Sequence, residues 1–234
     1  MKLLKSLLSA AVVASLAAVP LSSQAGPITL SISDGATTFT VADGASGVYA
    51  DQNPLANEVA WAGTVGVWTV NISTGTGVGG IPGVFGIDLT SKSTISSAPG
   101  TLTIMLSETG LNLGSSGTFA VSGGIGGTFS KTGNGNSLGY SLYADANNGL
   151  FGTPAGGLAF NGTATDGSLH FGDAGGASIA LTNPSFSLTM VTKFNNKVAG
   201  QTSYDFTSAI PEPASIALVG LALLGLGAAT RRKA

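Results

Sequence analysis

The chain has no cysteine and a single histidine among its 234 residues, and only 9% of the residues are charged. Without cysteine there is no disulfide and no Cys-based zinc site, so stability depends on strand pairing and the apolar core. His170 is the one histidine, so few residues are available for acid–base or Ser-His-Asp catalysis. No Gly-x-Ser-x-Gly elbow marks a nucleophilic serine. We therefore interpret His170 as a structural or exposed residue and expect no enzyme and no cofactor.

Basic residues are also scarce in the body of the chain. Positions 26–210 carry ten acidic and four basic residues, a net charge of −6. Binding of nucleic acid requires clustered Lys and Arg, so this composition argues against a nucleic-acid partner. Glycine is abundant instead, with 36 residues alongside many Ser, Thr and Asn, a composition typical of surface and matrix β-proteins.

The N-terminus has the pattern of a secretory signal peptide. Lys2 and Lys5 precede an apolar run over residues 7–19, and Ser23-Gln24-Ala25 then forms a small-x-small cleavage site. The pattern predicts a signal peptide over residues 1–25. The Sec translocon would export the chain, and signal peptidase would cut between Ala25 and Gly26.

The mature chain alternates apolar and polar residues in short runs. Residues 101–107 place Leu102, Ile104 and Leu106 on one face, with Thr, Met and Ser on the other. Turn residues recur at about 8–12-residue intervals, and no run is amphipathic as a helix. The pattern predicts a single all-β domain over residues 26–209, an antiparallel β-sandwich or jelly roll. Within it, the glycine-rich residues 117–137 are predicted to form a hairpin with flexible turns.

Candidate binding residues are few and scattered. Glu108, after the strand at 101–107, is the best carboxylate for glycoside hydrolysis, but its place before Thr-Gly is more typical of a solvated turn residue. Oxygen-rich turns make weak calcium candidates, although neither the EF-hand spacing nor the nonapeptide repeat is met. Turn chemistry is the favoured explanation for these residues: Asp145, Asn147, Asp166 and Asp173. Aromatic platforms for sugar stacking would be Trp61, Tyr140, Tyr143 and Tyr204.

The last residues form a three-part signal. Pro211-Glu212-Pro213 is followed by an apolar run over residues 214–229 in which Ser215 is the only polar side chain, and then by Arg231, Arg232 and Lys233. A helix over residues 214–230 would be about 26 Å long, close to the roughly 30 Å hydrocarbon core. The sequence therefore predicts a transmembrane helix with its basic end on the cytoplasmic side.

This order of elements resembles the PEP-CTERM sorting signal of Gram-negative bacteria. The resemblance implies that residues 210–234 are recognised by exosortase, a membrane-embedded cysteine transpeptidase-like enzyme. Pro211, Glu212 and Pro213 would be the recognition tripeptide, and Arg231, Arg232 and Lys233 the cytoplasmic stop. Carriers of this signal are linked to exopolysaccharide and biofilm matrix, and the same domain label has been attached to ice-binding proteins. A plain C-terminal anchor is the alternative.

The sequence thus predicts an exported protein that is held transiently in the inner membrane and then moves to the cell surface or extracellular matrix. Its predicted role is structural or adhesive in exopolysaccharide or biofilm, with exopolysaccharide as a candidate partner. The alternatives are a carbohydrate-binding module, with or without calcium, and an ice-binding β-module. A hydrolase is the least favoured hypothesis.

Overall fold

The computed structural model describes residues 26–76 and 84–211. These residues form thirteen strands and one short 3₁₀ helix. The strands are β1 (Thr29–Ser33), β2 (Thr38–Ala42), β3 (Ala60–Val65), β4 (Trp68–Thr76), β5 (Val84–Phe85), β6 (Ile87–Ser96), β7 (Gly100–Asn112), β8 (Gly117–Phe129), β9 (Ser137–Asp145), β10 (Leu158–Thr165), β11 (His170–Leu181), β12 (Ser185–Asn196) and β13 (Gly200–Pro211); the 3₁₀ helix is Ala155–Gly157.

The strands pair into two antiparallel sheets. Sheet A has the order β10-β9-β12-β7-β1-β2, and sheet B has the order β11-β8-β13-β6-β4-β3, with β5 paired to the end of β13. The predicted all-β sandwich is confirmed. The predicted signal peptide and transmembrane helix lie outside the described residues. Within those residues, no helix is long and apolar enough to cross a membrane.

The core lies between the sheets, where the predicted alternation holds. Leu102, Ile104 and Leu106 are buried, whereas Thr101 of the same strand is exposed. Strand β4 repeats the pattern, with Trp68, Val70 and Ile72 buried. Alternation buries one face of each strand because successive side chains point to opposite sides of the sheet.

The prediction of a flexible hairpin over residues 117–137 is wrong. Residues Gly117–Phe129 form one continuous strand, β8, which pairs with β11 on one side and β13 on the other. Its inward glycines leave space for aromatic rings from neighbouring strands: a methyl group on Gly123 would meet the ring of Phe160, and one on Gly127 the ring of Phe171. Gly162 of β10 makes the same kind of space for Tyr140. Glycine in these strands therefore serves packing between strands.

The sandwich has two distinct ends. The chain enters at Gly26, whose N–H donates to the Thr109 carbonyl at 2.7 Å, and leaves at Pro211. We call this the exit end. Pairing of Thr29 with Ala42 and Ser107, and of Asp145 with Ser187, places the loops over residues 43–59 and 146–157 there as well. The opposite, far end carries the turns at 97–99, 130–136, 166–169 and 197–199.

Candidate functional site

An open pocket lies at one edge of the sandwich, where strand β10 of sheet A meets strand β11 of sheet B. Its volume is about 400 Å³. Strand β9 contributes Tyr140, β10 contributes Thr163 and Ala164, and β11 contributes residues 170–173. We call it the edge pocket. Because the chain passes from β10 to β11 through the turn at 166–169, one local crossover positions most of the lining.

The wall of the edge pocket is built on a tyrosine–aspartate pair. The Tyr140 hydroxyl donates to Asp173 Oδ2 at 2.5 Å, and the ring packs against Phe160 and Phe206. Gly162 lies opposite Tyr140 in the β9–β10 register, and any side chain there would collide with the phenol. Burial, together with the hydrogen bond to Asp173 and its charge, raises the pKa of Tyr140 to about 12. Tyr140 is therefore a neutral donor held in one orientation.

The mouth of the pocket combines a carboxylate with an aromatic ring. Asp173 is exposed, and its Oδ1 accepts from the Ala174 N–H at 2.9 Å. Phe171 is half-buried and packs on Phe129 with a centroid distance of 5.2 Å. His170 is exposed, but it lies three positions from Asp173 along a strand, so the two side chains point to opposite faces. The arrangement is suited to binding hydroxyl groups beside an apolar surface.

Sugar stacking on the four predicted aromatics is not supported by their exposure. Trp61, Tyr140 and Tyr204 are buried, and Tyr204 hydrogen-bonds Thr192 between the sheets at 2.9 Å. Burial raises the pKa of Tyr204 far above its usual value. Tyr143 is half-buried. These three buried rings serve the core because they occupy inward positions in the strand alternation.

The calcium candidates do not come together. Asp145 accepts the N–H groups of Asn147 at 2.9 Å and Gly149 at 3.2 Å, so the loop after β9 closes on itself. Asp166, at the far end, accepts the N–H groups of Asn134 and Gly135 at 3.0 and 3.1 Å, whereas Asp173 belongs to the edge pocket. In residues 26–76 and 84–211, no group of three or more His, Cys, Asp or Glu is placed to hold a metal ion. Backbone capping accounts for Asp145 and Asp166.

The interpretation of Glu108 as a solvated turn residue is wrong. Strand β7 continues past it to Asn112, and the side chain is only 4% exposed. It continues the inward series of Leu102, Ile104 and Leu106, which is why it is buried. Burial raises the pKa of Glu108 to about 7, because the charged form loses its hydration.

A pair of carboxylates, Asp88 and Asp205, lies on the outer face of sheet B and was not found from the sequence. Thr90 Oγ1 lies 3.0 Å from Asp88 Oδ1 and 2.9 Å from Asp205 Oδ1, and its single proton serves one of them at a time. Burial and the neighbouring charge of Asp205 raise the pKa of Asp88 to about 6. The two residues are 117 positions apart in sequence and meet only because β6 pairs with β13.

The sorting residues lie at and beyond the end of β13. Ile210 is fully buried and pairs with Phe85, and Pro211 pairs with Val84, so the sandwich overlaps the predicted sorting segment by two residues. The other sorting and processing residues lie outside the described part of the chain: Ala25, Glu212, Pro213, Arg231, Arg232 and Lys233.

Solved structures with a similar arrangement of strands are remote from this chain. The structure of infectious bursal disease virus, Gx strain, has a TM-score of 0.34 at 14% identity, covering 83% of this chain and 58% of that one. The CBM22-1 xylan-binding domain of Xyn10C from Paenibacillus barcinonensis has a TM-score of 0.28 at 13% identity, covering 67% and 95%. The mannan-recognising carbohydrate-binding module TmCBM27 has a TM-score of 0.32 at 11% identity, covering 67% and 90%. Scores this low establish no functional relation.

One segment of the chain matches a known sequence motif. No curated protein matches the chain. Residues 209–233 match the PEP-CTERM protein-sorting motif, so the chain carries this sorting motif.

Proposed function

We propose that this protein is exported, sorted by exosortase through its C-terminal segment, and delivered to the cell surface or extracellular matrix as a structural or adhesive component without catalytic activity. The observation that carries the proposal is the match of residues 209–233 to the sorting motif. In this proposal the Sec translocon and signal peptidase act at the N-terminus, and the apolar run after Pro213 holds the chain in the inner membrane until processing.

The position of β13 supports a direct connection between the β-sandwich and the sorting signal. Strand β13 lies between β8 and β6 within sheet B and ends at Pro211, the first residue of the tripeptide. Only Glu212 and Pro213 separate it from the apolar run that begins at Ala214. At about 3.3–3.6 Å per residue this spans roughly 10 Å. The described sandwich therefore reaches to within two residues of the apolar run.

The absence of catalysis is proposed from the placement of the titratable groups. His170 and Asp173 point to opposite faces of β11, so they do not form a dyad. Glu108 lies among inward apolar residues of β7. Ser107, its neighbour, is engaged by Thr189 at 3.0 Å, the Leu188 carbonyl at 3.1 Å and the Phe151 N–H at 3.0 Å. This serine is therefore a structural hydroxyl rather than an activated nucleophile.

Processing is tested by mass spectrometry of the mature protein from cells with and without exosortase. We expect a chain beginning at Gly26 and, only where exosortase is present, a C-terminus near residues 211–213. The variant Glu212→Ala should accumulate the unprocessed form, whereas the control Lys92→Ala, at an exposed site on β6, should be processed normally. A C-terminus at Ala234 in both strains would contradict the proposal.

Carbohydrate binding at the edge pocket is the second candidate function. The observation that favours it is the combination of the exposed Asp173 carboxylate, the oriented Tyr140 hydroxyl and the half-buried Phe171 ring in one open pocket. Carboxylates and hydroxyls bind sugar hydroxyl groups, and an aromatic ring packs against the apolar face of a sugar. An exopolysaccharide of the surrounding matrix would be the ligand.

A glycan array with and without chelator tests this second function. If the pocket binds sugar, Asp173→Ala should weaken binding about tenfold or more, because a hydrogen bond to a charged group contributes about 1.5–3 kcal/mol. The matched control Asp43→Ala changes a carboxylate at the exit end and should leave binding unchanged. The chelator should have no effect, since Asp173 is not joined to other calcium candidates. Binding in neither condition would refute the candidate function.

A further inference from the structure

The exit end exposes large apolar side chains. Val48 is 90% exposed, Leu55 58% and Tyr49 40%, all on the loop over residues 43–59. Leu150 is 51% exposed on the second loop of the same end, residues 146–157. The far end also exposes apolar side chains, at 37–49%: Val67, Ile95, Leu169 and Val198. Exposure alone therefore does not single out the exit end, and its position relative to the C-terminal apolar run has to indicate the partner.

These loops are held in place by hydrogen bonds. Asp51 accepts the N–H groups of Gly44, Asn53 and Ala60 at 3.1, 2.9 and 3.0 Å, and Asp43 accepts that of Asn57 at 2.7 Å. The third carboxylate of the loop, Glu58, accepts from Asn53 Nδ2 at 2.6 Å. Every carboxylate that would oppose an apolar contact is thus bound by a group of the loop or of β3. The exposed ring of Tyr49 stacks on Phe39 at a centroid distance of 4.0 Å, which fixes its orientation.

The second loop is fastened in the same way. Asn148 Oδ1 accepts the Gly110 N–H at 2.7 Å, and the Ser187 hydroxyl donates to the Gly149 carbonyl at 2.7 Å. Leu150 therefore projects from a loop attached to β7 and β12. Neither loop contains Lys or Arg, so electrostatic attraction to anionic headgroups does not explain the surface.

The chain itself indicates what covers this end. Strand β13 ends here at Pro211, and the apolar run of residues 214–229 begins after two more residues. When that run is in the bilayer, Pro211 lies within about 10 Å of the lipid surface, and the exit end is the end of the sandwich that is nearest to the membrane. Apolar side chains of interfacial proteins enter lipid to a depth of about 5–10 Å, which is within this reach.

We propose that the exit end is a membrane-contact surface, in which Val48, Leu55 and Leu150 enter the interfacial layer of the bilayer that holds the C-terminal segment, while Tyr49 packs on Phe39 of β2. The inference rests on the membrane anchoring in the proposed function. Tethering by residues 212–213 keeps the loops at the lipid surface, so weak insertion at each side chain is enough to orient the sandwich. The far end and the edge pocket would then face away from the membrane and toward the matrix. After processing the same loops become exposed again.

The absence of native cysteine allows a direct test by site-specific labelling. Single variants Val48→Cys, Leu55→Cys and Leu150→Cys probe the exit end. Leu169→Cys and Val198→Cys, at sites 49% and 39% exposed on the far end, are matched controls. Each is labelled with a polarity-sensitive fluorophore in the unprocessed chain, isolated from cells lacking exosortase and reconstituted into zwitterionic lipid nanodiscs with or without headgroup-proximal nitroxide lipid.

We expect blue-shifted emission and about twofold or greater nitroxide quenching at the three exit-end sites, with little change at the two controls. The effect should persist at high salt, since the loops carry no Lys or Arg. Equal quenching at all five sites overturns the contact surface while leaving anchoring intact. A blue shift that depends on protein concentration and is insensitive to nitroxide lipid overturns the membrane contact. It would show instead that a second copy of the chain covers the exit end. Failure of the chain to remain in the nanodisc overturns both the contact and the anchoring.

Discussion

Replacing Glu108 by glutamine is expected to raise the free energy of unfolding by about 2–3 kcal/mol at pH 8 and to change it little at pH 4. The carboxyl group is 4% exposed and lies on the inward face of β7, and burial raises its pKa from 4.5 to about 7. The folded chain therefore holds a proton that the unfolded chain releases near pH 4.5. The stability linked to this proton is fully present below that pH and is lost as the pH rises through 7.

Urea denaturation of the wild type and Glu108→Gln between pH 4 and pH 8 measures this effect. The wild type should lose stability across the interval, and the variant should have a flatter profile. Glu108→Met is a second variant, since its apolar side chain suits the same face as Leu106 and should flatten the profile equally. Parallel profiles for all three proteins would show that Glu108 is hydrated in the folded state.

Asp34 supplies a control with the opposite sign. Its Oδ1 accepts the N–H groups of Ala36 at 3.0 Å and Thr37 at 2.7 Å, and these hydrogen bonds lower its pKa below the ordinary 3.8. A lowered pKa contributes stability above the unfolded value, and that stability is lost as the pH falls through the folded value. Asp34→Asn should therefore alter the acid side of the profile and leave the change between pH 5 and pH 8 in place.

Replacing Gly127 by alanine is expected to destabilise the sandwich by about 3 kcal/mol or more. A methyl group at this position of β8 would overlap the backbone carbonyl of Ser203 and the ring of Phe171. The carbonyl belongs to the paired strand β13, so it moves only if the pairing of two neighbouring strands is distorted. In a domain of this size the loss corresponds to a fall in Tm of about 6–12 °C.

Gly124→Ala is the matched control three residues away in the same strand. The nearest atoms to a methyl group there are Ala174 Cβ, the Asp173 carbonyl and Thr207 Oγ1, all at 3.8 Å. We expect the control to lie within about 0.5 kcal/mol of the wild type, because alanine also restricts the unfolded chain. Thermal unfolding of both variants measures the difference in melting temperature. Equal melting temperatures would show that β8 uses glycine for flexibility rather than for packing.

The strands with clear alternation were predictable from the sequence. Residues 28–33, 68–73, 101–107 and 185–191 each place apolar residues at every second position, and all lie largely within strands. The glycine-rich strand β8 was not predictable, since glycine is the usual signal of a turn. Its role depends on Phe160 and Phe171, which come from strands that are distant in sequence but adjacent in space.

The edge pocket could not be predicted because its parts come from different strands. Tyr140 and Asp173 were both singled out in the sequence, one as a sugar platform and the other as a calcium ligand. Their hydrogen bond depends on β10 and β11 meeting at the edge of the sandwich, and on Gly162 leaving room for the phenol. Asp88 and Asp205 were overlooked for the same reason, since only the β6–β13 pairing joins them.

By itself the sequence determined the all-β class, through an alternation that is local, and the sorting signal, through the order of residues at the C-terminus. The tertiary structure alone decided that Glu108 is buried, which glycines pack against rings, and which loops share an end with Pro211. The physical reason is that periodicity states which residues face the same side of a strand. Pairing between segments far apart in the chain decides what packs against that side and what lies beside the end of the strand.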